Sequence, residues 1–193
     1  MITIYLVRHG EYENPDYLFP GRLPGFPLSD RGREQVEKLA TYFENRAIVA
    51  LYSSPLLRTR QTAEMFSKRL NLPIVFDDRL LEVITMAEGV SMKLFDDTNG
   101  ELSYTPEYLA KGAETMQQLA DRLGGFVEEK RKKHEGKEVL VVTHGDPMRY
   151  VVMKYMGMSI EFDASRSVAI PLAGGYKLEF TDLGSISVKP IVI

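Results

Sequence analysis

Short apolar runs rich in β-branched residues alternate with segments of helical period along most of this chain, and that alternation limits the fold more than any other feature. Residues 2–7, 48–52, 74–76 and 139–142 are the runs. Between the first two, Val36, Leu39, Ala40 and Phe43 fall on one helical face behind a capping Ser29. After the second run, Ser54 and Pro55 read as cap and first position of another helix, with Ala63, Phe66 and Leu70 as its buried stripe. The run 139–142 is apolar at every position, as a strand covered on both faces must be. Strands separated by helices pair in parallel, so the pattern predicts an α/β fold: a three-layer αβα sandwich around a mainly parallel sheet.

The remaining stretches are less regular. Residues 81–112 hold no clean period and are read as a short lid insertion. Thr105-Pro106 opens a long helix whose stripe is Met116, Leu119, Leu123 and Phe126, and Pro147 starts another that runs to Tyr155. Residues 167–171, 176–180 and 186–191 are strand candidates. With 193 residues and no linker or repeat, a single domain over 1–193 is expected.

Composition removes several function classes. The net charge of −3 speaks against a general affinity for nucleic acid or anionic membrane, so any anion must be held by a local basic cluster. With no cysteine there are no disulfides, thiolate nucleophiles or Cys-based metal sites, which fits a reducing compartment. The apolar start, residues 1–7, stops at Arg8, and no stretch approaches the roughly 20 apolar residues of a membrane span. A cytoplasmic protein with no nucleic acid or membrane partner is expected.

The chemistry gathers at strand ends, where open α/β sheets bind their ligands. His9 follows the first run and His144 follows the run 139–142, each with a glycine after it. Arg8 adjoins His9, and Arg58 lies early in the helix after the second run. Two guanidinium groups suit the oxygens of a phosphate monoester dianion. A neutral histidine held through one ring nitrogen can attack phosphorus through the other, and a second histidine can steady the charge that develops. Positioning and positive charge supply most of the catalysis of phosphoryl transfer. The acidic pairs Asp77-Asp78 and Asp96-Asp97 read as solvated turns, His134 as part of a solvated helix end, and no metal or cofactor is expected.

Five motifs in order carry a resemblance. They are Leu6-Val7-Arg8-His9-Gly10-Glu11, the segment from Gly21-Arg22 through Ser29 to Gln35, Ser53-Ser54-Pro55-Leu56-Leu57-Arg58-Thr59-Arg60-Gln61-Thr62-Ala63, Leu80-Leu81-Glu82, and Val141-Val142-Thr143-His144-Gly145. Together they resemble the histidine phosphatase superfamily, the phosphoglycerate mutase-like family, over nearly the whole chain. The resemblance implies that His9 forms a phosphohistidine, that Arg8, Arg58 and His144 bind phosphate, and that Glu82 protonates the leaving oxygen. The segment after Glu82 departs from the family pattern, with Met86 near the usual glycine and Glu88-Gly89 one residue early, which leaves Glu88 room to share or replace the acid role. Asn14 stands slightly early for the family's asparagine and is a candidate phosphate contact. Glu11 and Arg22 are candidates on the loops over the site, Glu114 resembles the Gly-Glu-Ser element near the pocket, and Met92, Tyr104 and Tyr108 are candidate lining.

The expectation is a metal-independent phosphomonoesterase acting on a small phosphorylated metabolite. A phosphoglycerate mutase with the same phosphohistidine is the alternative, while a non-catalytic phospho-ligand-binding module and a protein phosphatase rank lower. The C-terminal strands offer an edge on which two copies can pair, so a homodimer stays open.

Overall fold

The computed structural model describes residues 1–193 with the exception of Asn99, Leu183 and Ile193. In chain order the elements are β1 (Ile2–Arg8), α1 (Asp30–Phe43), β2 (Ile48–Ser53), α2 (Leu57–Leu70), β3 (Ile74–Phe76), α3 (Met92–Asp97), α4 (Pro106–Ala110), α5 (Met116–Lys133), β4 (Glu138–Thr143), α6 (Gly145–Tyr155), α7 (Phe162–Ser165), β5 (Gly175–Phe180) and β6 (Ile186–Pro190). The strands form one sheet in the order β3-β2-β4-β1-β5-β6. The pairs β3·β2, β2·β4 and β4·β1 are parallel, and β1·β5 and β5·β6 are antiparallel.

Alternation along the two central strands sorts the core into two layers. Ile4 and Leu6 of β1, with Val139 and Val141 of β4, pack against Leu119, Leu123 and Phe126 of α5 and Val151 of α6. Tyr5, Val7, Leu140 and Val142 point the other way, onto Val36, Leu39 and Phe43 of α1 and Phe66 of α2. The uniformly apolar run in β4 is thus explained, since each of its faces meets a helix layer. The αβα sandwich inferred from the alternation is the fold of the molecule.

Four local expectations are corrected. Ser54 does not cap α2, which begins at Leu57 without a side-chain cap, because the Ser54 hydroxyl lies 2.8 Å from His144 Nε2. The helix opened by Thr105-Pro106 stops at Ala110, and Gly112 at φ +98° turns the chain away. A new helix, α5, then starts at a capping box formed by Thr115 and Gln118. Residues 167–171 are not a strand, although Val168 and Ile170 are buried alternately. Their carbonyls are taken by side chains instead: Arg149 donates to Val168, Tyr176 to Ala169 and Arg8 to Ile170. His134 is half-buried rather than solvated, with Nε2 2.8 Å from the Tyr52 hydroxyl.

Candidate active site

Register builds the centre of the site. β1 and β4 are parallel neighbours with Arg8 opposite Thr143, so the next residues, His9 and His144, leave the sheet side by side. The His9 amide donates to the Thr143 carbonyl, and the two rings meet edge to face with centroids 5.2 Å apart. On the other side of β4, β2 runs parallel and feeds α2, whose first turn carries Arg58. Three adjacent strands therefore deliver their following residues to one spot at the carboxyl edge of the sheet. The turn after His9 depends on glycine, because a Cβ on Gly10 would sit 2.5 Å from the Gly32 carbonyl oxygen and one on Gly32 would sit 1.9 Å from that of Glu11.

His9 is oriented by its own turn. Its Nδ1 lies 2.8 Å from the Gly10 carbonyl, which only accepts, so Nδ1 carries the proton and Nε2 the lone pair. The Nε–H of Arg58 points at that lone pair from 3.2 Å, while the other end of the Arg58 guanidinium donates to the Gly21 carbonyl. Burial first, and then the Arg58 and Arg8 charges, push the His9 imidazole well below its usual range. Burial, Arg58 and His9 do the same to His144. Both rings are neutral at physiological pH, the state a nitrogen nucleophile needs.

Arg8 donates to the Ile170 carbonyl at 2.7 Å, and its buried Nε has no partner among the described residues. The same is true of His144 Nδ1. A buried donor without a partner is costly, and a phosphate oxygen would satisfy one.

Glu82 faces the same cleft. Burial, reinforced by Asp146, pushes its carboxyl up to about 7, against the opposing pull of Arg58 and Arg8. A carboxyl in that range gives or takes a proton near neutrality. The cleft holds about 560 Å³ and is lined by Arg8, His9, Arg58 and Glu82, with aromatic walls from Tyr12, Phe19, Phe95 and Tyr104. Asp96, Asp146, Arg149 and Arg166 also line it. No three His, Asp or Glu side chains gather to hold a metal ion among the described residues.

Not every candidate reaches the cleft. Asn14 lies outside the lining, and its side chain closes a loop by bonding both the carbonyl and the amide of Leu18. Glu11 accepts from the Ser29 hydroxyl and pairs with Arg31, buttressing the start of α1 outside the lining. Glu88 receives the Arg22 amide at 2.7 Å and lies outside the lining, so the geometry favours Glu82 as the acid. Arg22 and Glu114 also sit behind the wall, Arg22 donating to the Glu82 carbonyl and Glu114 pairing with Arg122. Of the lid candidates, Met92 and Tyr104 line the cleft and Tyr108 does not.

Sequence reasoning missed Tyr12, Asp146, Arg149 and Arg166. Tyr12 packs edge to face on His9 and under Arg58. Asp146 accepts from Tyr104 at 3.0 Å and pairs with Arg149 one turn along α6 at 2.8 Å. The signal for that pair was present: an acid two residues after His144, with an arginine three further on, is neighbourly only on a helix starting at the strand end.

Two neutral histidines with one buried and one half-buried arginine at the carboxyl edge of a parallel sheet are the equipment of a phosphoryl-transfer enzyme. The family model of the histidine phosphatase superfamily (branch 1) matches residues 4–189, and the chain belongs to that superfamily, whose enzymes are phosphatases and mutases. Phosphoserine phosphatase 1 of Hydrogenobacter thermophilus is 32% identical over 167 residues, covering 83% of this chain and 79% of that protein. The probable phosphoglycerate mutase GpmB of Escherichia coli is 32% identical over 168 residues, covering 82% and 76%. The structure of YhfR from Bacillus stearothermophilus superimposes with a TM-score of 0.83 at 24% identity, covering 98% of this chain and 96% of that one.

Proposed function

We propose that this protein is a metal-independent phosphomonoesterase for a small phosphorylated metabolite, working through a phosphohistidine on His9. The observation that carries this reading is the His9 geometry: Nδ1 is tied to Gly10, and Nε2 is presented beside Arg58 in a cleft that also holds Glu82. Arg8 and Arg58 grip the phosphate oxygens while Nε2 attacks phosphorus. The P–O bond to the leaving group breaks, and Glu82 gives that oxygen its proton. Water then attacks the phosphohistidine and yields its proton to the Glu82 carboxylate, which releases inorganic phosphate and restores both residues. His144, ring edge against His9, shares the charge on the transferring oxygens.

The size of the cleft favours a small substrate, since pockets of about 300–1,000 Å³ enclose molecules of metabolite size. Asp96, Arg149 and Arg166 in its lining offer both signs of charge to a substrate's non-phosphate end. One relative is named a phosphatase and the other a probable mutase, so the test must separate water from a second hydroxyl as acceptor.

EDTA-treated protein should release phosphate from a panel of p-nitrophenyl phosphate, phosphoserine and 3-phosphoglycerate, and the His9→Ala variant should not. Accumulation of 2-phosphoglycerate without free phosphate would replace hydrolysis by mutase chemistry. Release that survives in His9→Ala would overturn the mechanism.

A further inference from the structure

The carboxyl assigned above as proton donor sits on a segment without regular structure. A single turn of 3₁₀ helix, Asp78–Leu80, precedes it, and no helix or strand follows until Met92. Coil of this kind lets a side chain wander, yet Glu82 must reach a leaving oxygen to within hydrogen-bond distance. Its backbone is held by side chains from elsewhere.

Arg122, on α5 across the wall from the cleft, commits all five of its N–H groups. One nitrogen donates to both the Arg79 and Leu81 carbonyls, at 2.7 and 2.9 Å. A second donates to the Glu82 carbonyl at 3.3 Å and to Glu114 at 2.8 Å, and Nε completes the fork to Glu114 at 2.7 Å. The Thr143 hydroxyl takes the intervening Leu80 carbonyl at 2.8 Å. Arg22 reaches the same Glu82 carbonyl with Nε at 2.7 Å and pairs with Glu114 at 3.7 Å. Glu114 then bonds the next stretch twice, receiving the Ile84 amide and giving its own amide to the Ile84 carbonyl.

Four successive carbonyls, 79 through 82, are thus fixed by side-chain donors, three of them by Arg122. Burying a guanidinium and a carboxylate is expensive, and satisfying backbone carbonyls does not require it, because a turn would do so without charge. A planar fork has the further property of holding direction as well as distance. The Glu82 carboxylate is oriented from the same point, since the Val83 amide donates to it at 2.9 Å.

We infer that Arg122, braced by Glu114, is a positioning residue for the general acid: it holds the Glu82 backbone so that the carboxyl meets the leaving oxygen. The inference rests on the assignment of Glu82 as proton donor. Arg122 and Glu114 lie outside the cleft lining.

The test is leaving-group dependence. A proton donor matters little when the leaving group is a stable anion and greatly when it is an alkoxide. The measurement is kcat/KM, which contains only the steps through P–O cleavage, for p-nitrophenyl, phenyl and benzyl phosphate. In Arg122→Met, p-nitrophenyl phosphate should lose no more than about threefold, while benzyl phosphate should lose about 30-fold or more. Arg122→Lys should recover part of the benzyl loss, and Arg22→Met should show the same ordering more weakly, so the result does not depend on one variant folding. A loss of equal factor on all three substrates would show a merely structural role and overturn the proposal. So would no loss at all. Glu82→Gln is measured in parallel: if it shows no leaving-group selectivity, the acid assignment falls and takes the clamp with it. If Glu82→Gln is selective and the Arg122 variants are not, the clamp alone is wrong. Failure of the wild type on all three esters would sink the phosphatase reading itself.

Discussion

The floor and the roof of the cleft are made by opposite means. The floor consists of residues that leave the ends of three paired strands, with His9 and Arg58 each 2% exposed and His144 wholly buried. The roof is a short helix, α3, with no buried residue of its own. It is attached by the stack of Phe95 on Phe19 at 4.1 Å, the Tyr17–Asp96 hydrogen bond at 3.1 Å and a bridge between Leu18 and Ser91. Groups that must meet a reacting phosphorus are placed by the sheet, where error is small. The groups of the roof hang on a few contacts, where sequence can change at little cost to stability.

Each half of that contrast can be broken separately. The largest effect belongs to the floor: His9→Ala should lower kcat/KM by about 10⁴-fold or more, with no phosphoenzyme trapped on rapid acid quench. Arg58→Lys should cost about 100-fold, because a single ammonium cannot serve His9 Nε2, the Gly21 carbonyl and phosphate together. A smaller loss would mean the floor is less exacting than its burial suggests.

Glu82 gives a pH test. Its carboxyl faces Arg8, Arg58 and Asp146 and is pushed up to about 7, so it carries its proton below that value. The kcat/KM for poor leaving groups, which reports only the steps through P–O cleavage, should show no loss from this group below neutrality and fall about tenfold per pH unit above it. Stability runs the same way. A buried carboxyl raised from 4.5 to about 7 favours the fold fully at low pH, and that contribution is lost as pH rises between the two values. Glu82→Gln should therefore leave Tm unchanged at about pH 4 and raise it by about 5 °C at about pH 8. An unshifted Tm at both would show that Glu82 is not buried as a carboxylate.

The smallest effect belongs to the roof. Phe95→Ala removes the stack on Phe19 from a helix with nothing in the core, so KM should rise about threefold to tenfold with kcat and Tm little altered. A fall in kcat matching a floor variant would erase the contrast.

What could be read from the residues divides along the same line. Arg8, His9 and His144 were legible because the chain signals those strand ends twice over, by apolar runs that stop and by the glycines after them, and Arg58 because it opens the helix after the second run. The helices after the strands follow from spacing, and the two-layer core from alternation in β1 and β4. What lay hidden depends on contacts between distant segments. Ser54 carries every mark of a cap, yet its hydroxyl is drawn off by a histidine 90 positions away. Residues 167–171 have the period of a strand, but a strand is defined by where its backbone bonds go, and these go to side chains. Asn14, Glu11 and Glu88 are polar residues near the right motifs whose partners are local, and nothing in their spacing announces that. Tyr12 and Arg122 act through packing and through backbone carbonyls, which no side-chain motif records.

The strand order has a consequence for how the molecule is made. Both neighbours of β1 in the sheet, β4 and β5, are encoded more than 100 residues after it. The strand that leads into His9 thus waits, with two open edges, until residue 143 has been made. Such non-local pairing makes for slow folding and prolonged exposure of an apolar strand to wrong partners. Nascent chains stalled before β4 should accordingly depend on chaperones far more than those stalled after β5, and the cluster of Arg8, His9, Arg58 and His144 closes only once β4 has been made.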